Sequence, residues 1–290
     1  MSYRRRSNAE TMSRAGRYGL VVLLLAFSAS PILWMLLSTV KLNIEIFSDP
    51  PVFIPQHIPQ AIQENWEHAL APRSQGGLGG LKSIGDSAII AVLNTLLVIV
   101  LAVPAAYSVA RFKTGGKHFI IWIISQRILP PISLVLPYFL LFRELRLLDT
   151  HLGLILIYTT FNLPLAVWLL QGFFAEIPKE VEEAALIGGC SRVKALLRVT
   201  LPLALPGVAV TMLFCFIFAW NEFLFAVMLT RSRVITLPAI IPGLLYTGSM
   251  EPRFGPLFTL TAVSIFPILL TAFVLQKYVI RGLTFGAIKE

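Results

Sequence analysis

The sequence predicts an all-α membrane protein of six transmembrane helices with its N and C termini on the cytoplasmic side. Three observations carry that class. Hydrophobic residues make up 56% of the 290-residue chain and charged residues 13%, where a soluble domain needs roughly 25% charged; mean hydropathy is +0.78. Six segments are long and apolar enough to cross ~30 Å of hydrocarbon at about 1.5 Å per residue: 18–40, 87–110, 119–142, 152–175, 203–230 and 254–276. With the N-terminus inside, the segments between spans place fifteen Lys and Arg on the cytoplasmic side and eight outside. That is the bias of the positive-inside rule.

Taken in order, residues 1–17 carry five arginines and read as a cytoplasmic segment. Residues 18–40 are uncharged for 23 positions, longer than the about 7–15 residues of a signal-peptide core. They read as a retained first span. Residues 41–86 form a long outer loop rich in Pro and Gly. Inside it, GGLGGLKS from Gly76 to Ser83 imitates a phosphate-binding loop, but Leu81 stands where glycine must precede Lys82. A core of five spans follows over 87–281, interrupted by a charged loop at 179–202. Pro31, Pro104, Pro130-Pro131, Pro164 and Pro267 lie inside spans and predict kinks. Residues 234–250 are uncharged but broken by Pro238, Pro242, Gly243 and Gly248, which predicts a short apolar element at the outer face. Residues 282–290 read as a cytoplasmic tail, too apolar at Leu283, Phe285 and Ile288 to hang free in water.

The net charge of +9 follows from where Lys and Arg sit along the spans and requires no nucleic acid. Cys190 and Cys215 fall in the charged loop and in a span, positions that favour no disulfide. His57, His68, His118 and His151 are scattered over three connections, so no metal site is expected.

The 179–202 loop is the one long, highly charged stretch between two strongly apolar ones. Pro178 can open a helix, Glu180, Glu182 and Glu183 suit its positive end, and Gly188-Gly189 can close it. Ser191 can cap a second short helix, with Arg192, Lys194 and Arg198 beyond the break. Ala184-Ala185 leave a small-residue surface that another protein could approach closely.

Those residues carry a resemblance. Glu183-Ala184-Ala185, then Gly189, then Val199-x-Leu201-Pro202 is similar to the EAA loop of ABC importer permeases; Gly188 stands where sugar-type members often have Asp. Ala106-Tyr107 with Ala110-Arg111-Phe112, Leu129-Pro130-Pro131 with Pro137-Tyr138, Trp220-Asn221-Glu222-Phe223 and the stretch from Arg281 to Lys289 resemble the carbohydrate, MalG-like branch of the maltose-transporter subfamily. The resemblance implies the type I ABC importer permease fold and a place in a bacterial cytoplasmic (inner) membrane. It implies a second permease subunit forming a heterodimer, two copies of an ABC ATPase and an extracytoplasmic solute-binding protein. ATP and Mg would reside on the ATPase, leaving this chain without cofactor or catalysis. Glu183, Ala184, Ala185, Gly189, Leu201 and Pro202 would form the surface that couples to the ATPase.

Charged and amide groups inside a membrane are costly and usually face an interior or a pathway. Asn94, Arg127, Asn221 and Glu222 are such groups. They read either as the wall of a polar path for a hydroxyl-rich solute or as structural ties: Arg127 to the carbonyls freed at Pro130-Pro131, Asn221-Glu222 to Asn94. The alternative class, a stand-alone secondary transporter or channel, predicts several acidic residues in the spans. Glu222 alone answers to that.

Overall fold

The computed structural model describes residues 2–116, 118–242 and 253–285, with side chains described from 16 to 278 apart from 117 and 243–252. All regular structure among these residues is helical. The chain divides into two compact units, 1–78 with 244–263 and 79–243 with 264–290.

In the first unit, helix α1 (Ser2–Ser38) runs without interruption through Pro31 and across the expected boundary at residue 17. Its apolar side chains, Leu25 and Phe27 among them, are exposed. The chain beyond it is fixed by buried polar groups. Asn65 Nδ2 donates to the carbonyls of Thr39 (3.0 Å) and Lys41 (2.8 Å). The fully buried Lys41 donates to Val52 O at 2.6 Å and lies 4.1 Å from the centre of the Trp34 ring. Burial works against the charge on Glu45, but a hydrogen bond with His57 and the backbone N–H groups of Gln56 and Leu42 outweigh it and hold this carboxyl below its usual range.

The second unit is a helical bundle. It comprises α2 (Gly80–Phe112), α3 (Phe119–Ser125), α4 (Pro131–Glu144), α5 (His151–Glu176), α6 (Lys179–Ile187), α7 (Arg192–Leu203), α8 (Leu205–Trp220) and α9 (Leu224–Leu229). The later part of α10 (Phe254–Phe285) completes it. Its core is the packing of α2, α5 and α8: Val98, Ala102, Ala106 and Tyr107 meet Ala166, Leu170 and Phe174, with Ala204, Val208 and Cys215 closing the third side. Small residues let the backbones approach, as helix packing in lipid favours. At Gly207 the approach is so close that a methyl group would overlap the Phe173 ring.

Contacts fix the directions. Asp86 meets His151 at one end of the bundle and Tyr107 meets Phe174 at the other, so α2 and α5 run parallel. Residues 113–150 therefore return along the length of the bundle. They do so as two helices rather than the one predicted over 119–142, because Pro130 and Pro131 supply no N–H and Pro130 is extended at φ −60°, ψ 123°. The run predicted over 203–230 is likewise interrupted at Asn221–Phe223. The remaining span prolines lie within continuous helices. Among the described residues four helices are long and apolar enough to cross a membrane, Gly16–Ser38, Gly80–Phe112, His151–Glu176 and Phe254–Tyr278. The pair α7 and α8, bent by 78°, makes a fifth if counted as one span.

At the Gly80 end, two carboxylates hold residues 231–237. Asp149 accepts the backbone N–H groups of Arg231, Ser232, Arg233 and Val234 at 2.9–3.3 Å. Burial opposes its charge, yet those four donors keep its carboxyl well below the ordinary carboxylate range. Asp86 accepts from Lys82 (2.8 Å) and from Ile235 N (3.0 Å), and Ser87 Oγ from Leu237 N (2.7 Å). In the element expected over 234–250, Leu237–Ile240 is a single helical turn; 243–250 lie outside the described residues, as do 286–290 of the expected tail.

Candidate functional site

At the Phe112 end of α2 the chain forms a helix–hinge–helix. Pro178 stands just before α6 at φ −55°, ψ 136° and sets the helix direction, with Glu180 and Glu182 in the first turn. The helix closes on glycine. Gly189 has φ +87°, its N–H bonds Leu186 O and the N–H of Cys190 bonds Ala185 O, both at 3.0 Å. This is the Schellman arrangement, with its left-handed residue just past the helix end. Ser191 then caps α7, accepting from Lys194 N at 3.4 Å. Within α7, Leu196–Thr200 widens into a π-helical turn. Leu201 and Pro202 complete the helix before the 78° bend at Ala204.

The loop has an inner and an outer side. Glu182 is 6% exposed, and its carboxylate accepts from Arg111 Nε at 2.9 Å and from the Tyr107 hydroxyl. Arg111 also donates to Ile177 O at 3.0 Å. Arg192 of α7 lies 5.0 Å from the centre of the Phe112 ring. The other side is unpartnered among the described residues. Val181, Glu183, Ala184 and Ile187 are exposed on α6, as are Val193 and Leu197 on α7, with Ile187 at 88%. Ala185 and Leu201 are half-buried, Gly189 and Pro202 exposed.

Of the four polar residues expected inside the membrane, Asn94, Arg127 and the adjacent Asn221-Glu222 occupy separate places. Asn94 is fully buried, its Nδ2 donating to Thr159 Oγ1 (2.9 Å) and Ile155 O (3.2 Å). Its Oδ1 accepts from Asn162 Nδ2 (2.9 Å), which also reaches Cys215 O (3.4 Å). Asn94 therefore ties α2, α5 and α8 through Asn162, rather than through Asn221 or Glu222. Arg127 lies in the break between α3 and α4, half-buried, its guanidinium 4.8 Å from the centre of the Phe218 ring. The expected bonds to carbonyls freed at Pro130-Pro131 are not formed; an aromatic face takes their place. Asn221 is exposed and donates to Ile217 O at 2.8 Å. Glu222 is half-buried and caps α9, accepting from Phe225 N (2.9 Å) and Ala226 N (3.1 Å).

Sequence reasoning singled out Glu183 and passed over its neighbour Glu182, and it missed Asn162. A signal for the first was present: Tyr107 and Arg111 are four apart and share one helix face, so they can converge on a single carboxylate.

Among the described residues all regular structure is helical, and several helices are long and apolar enough to cross a membrane, which is the build of a membrane component. The comparisons agree. The chain belongs to the family of binding-protein-dependent transport system inner membrane components, whose model matches residues 9–285. It is 33% identical over 264 residues to the trehalose/maltose transport system permease protein MalG of Thermococcus litoralis, covering 89% of this chain and 91% of that one. It is 38% identical over 211 residues to the trehalose transport system permease protein SugB of Mycobacterium tuberculosis, covering 72% and 76%. The fold is shared, at TM-score 0.74 and 21% identity over 93% of this chain and 98% of the other, with a bacterial ABC transporter involved in the import of the acidic polysaccharide alginate.

Proposed function

We propose that this chain is the membrane-embedded permease subunit of an ATP-driven, binding-protein-dependent importer for a sugar or polyol. In this reading it crosses the bacterial inner membrane six times with both termini inside, and it shares a solute cavity with a second permease subunit. A solute-binding protein delivers cargo at the Gly80 end of α2. Two ATPase subunits, carrying ATP and Mg, grip the 179–202 loop and rock the bundle as they close.

The observation that carries the proposal is the bare side of α6. Val181, Ala184 and Ile187 recur at three-residue spacing and share one face; Ile187 is 88% exposed in a loop otherwise rich in charge. Such a surface calls for a protein partner, and Ala184 lets the partner's backbone come close. Asn221 and Glu222, at the break between α8 and α9, are the residues we assign to the solute path, with Arg127 beside Phe218. Glu183, Ala184, Ala185, Gly189, Leu201 and Pro202 form the coupling surface.

The test is purification of the tagged chain from its native membrane with identification of what co-elutes. An ATPase with a Walker motif and a second permease are expected; a chain that elutes with neither overturns the reading.

A further inference from the structure

We infer that Glu182, held by Arg111 and Tyr107, is the positioning residue through which the 179–202 loop moves as one body with α2. The inference rests on the importer reading above and names the linkage inside this chain. The sequence resemblance points to Glu183 and the exposed side of α6; the structure shows where the opposite side is fastened.

The fastening has four parts, all on the last turns of α2. Arg111 Nε and the Tyr107 hydroxyl both donate to the Glu182 carboxylate, one to each oxygen. Arg111 spends a further nitrogen on Ile177 O, the residue that joins α5 to α6. Phe112 takes the Arg192 guanidinium across its ring, which reaches the second half of the loop beyond the Gly189 hinge. Tyr107 is in turn seated edge-on against Phe174 of α5, at 6.0 Å between ring centres. Three elements, α5, α6 and α7, therefore converge on one helix end.

The chemistry makes this a stiff joint. The Arg111 and Glu182 side chains are only 5% and 8% exposed, so water competes little for either. Separating them would leave a charge buried without a partner, which is strongly unfavourable. A hinge at Gly189 lets α6 and α7 differ in tilt, yet both remain tied to α2. Since α2 packs along α5 and α8 through the buried core, displacement of the loop is displacement of the bundle's centre.

Amide hydrogen exchange on the membrane-embedded complex with its ATPase tests this. Hydrogen bonds to charged groups of this kind are worth roughly one to two decades in an equilibrium. Glu182→Gln should therefore speed exchange of amides 179–187 about 10- to 100-fold while leaving the α2–α5 core unchanged. Tyr107→Phe, which keeps the ring packing, should have a smaller effect. The double variant should lose less protection than the sum of the two single variants, because both bonds end on one side chain.

A role confined to stability would not touch the second readout. Between nucleotide-free and Mg-ATP-trapped states, amides 106–112 should change protection together with 179–187 in the native chain. In Glu182→Gln only 179–187 should respond. If amides 106–112 still respond in Glu182→Gln, or if α6 exchanges at the native rate, the linkage is wrong. Should Glu182→Gln fail to accumulate, Tyr107→Phe is judged by the same two criteria. A native chain that holds no ATPase is a failure of the importer reading instead, and exchange of α6 in the chain alone still decides the fastening.

Discussion

Replacing Gly189 by alanine isolates a single physical term. Nothing lies within 4 Å of the position a Cβ would take there, so no side chain or backbone has to move. What remains is conformation: Gly189 sits at φ +87°, a region that disfavours an L-residue by about 1–2 kcal/mol. At about 1.4 kcal/mol per decade this is roughly a 5- to 30-fold fall in the closed-to-open ratio of the hinge. If only the closed hinge is competent to bind, affinity for the ATPase falls with the closed fraction, by at most that factor. Gly188→Ala is the control, since Gly188 has φ −71° and an added Cβ would meet only the Ala185 and Ala184 carbonyl oxygens at 3.4 and 3.5 Å. The assay is titration of the purified ATPase onto nanodisc-embedded chain. Equal affinities for the two variants, or a native affinity for Gly189→Ala, would refute the argument.

Further expectations follow from the same structure. Glu183→Lys reverses a charge on the bare side of α6 and should abolish solute uptake while the chain still reaches the membrane, checked by uptake alongside immunoblotting of membranes. Asn94→Leu removes the hub between α2, α5 and α8 and should lower thermal stability by about 1–2 kcal/mol whatever the solute. Asn221→Ala and Glu222→Gln should instead raise the half-saturating solute concentration in transport assays; a stability loss with unchanged affinity would remove them from the path. Asp149 has a depressed carboxyl pKa, so its contribution is present above the unfolded value near ~4 and is lost as pH falls below it. The melting temperature of Asp149→Asn should thus lie below the native one at pH 6 and converge with it as pH drops under about 4.

Much of the 179–202 loop is legible in the sequence because its signals are local. Pro178, Gly189 and Ser191 each act on the backbone within a turn of themselves, and each stands where its chemistry requires. The inner and outer sides of α6 are less legible. Glu182 and Glu183 are adjacent, identical in type and ~100° apart on the helix; only the tertiary position of Arg111 decides which is buried. The break at residues 126–130 follows from two prolines, but the partner of Arg127 does not. The Phe218 ring, on α8 with four helices intervening along the chain, replaced the nearby carbonyls. Asn94 reads as a solute contact or a tie on sequence alone, and Asn162, ordinary in an apolar run, is what resolves its geometry.

The fastener at Asp149 has a consequence for how the opposite rim can vary. All but one of its bonds land on backbone N–H groups, the exception being Ser232 Oγ at 3.4 Å. The loop is thus held chiefly by its main chain, with Ser232 Oγ bonded and Val234 buried as well. Asp149 holds the backbone N–H groups of Arg231 and Arg233, and the side chains of these two residues are exposed. They can be exchanged for residues of other size or charge without loosening the fold beneath them. A rim built this way can change its surface by substitution alone, so long as Asp149 and Asp86 are kept.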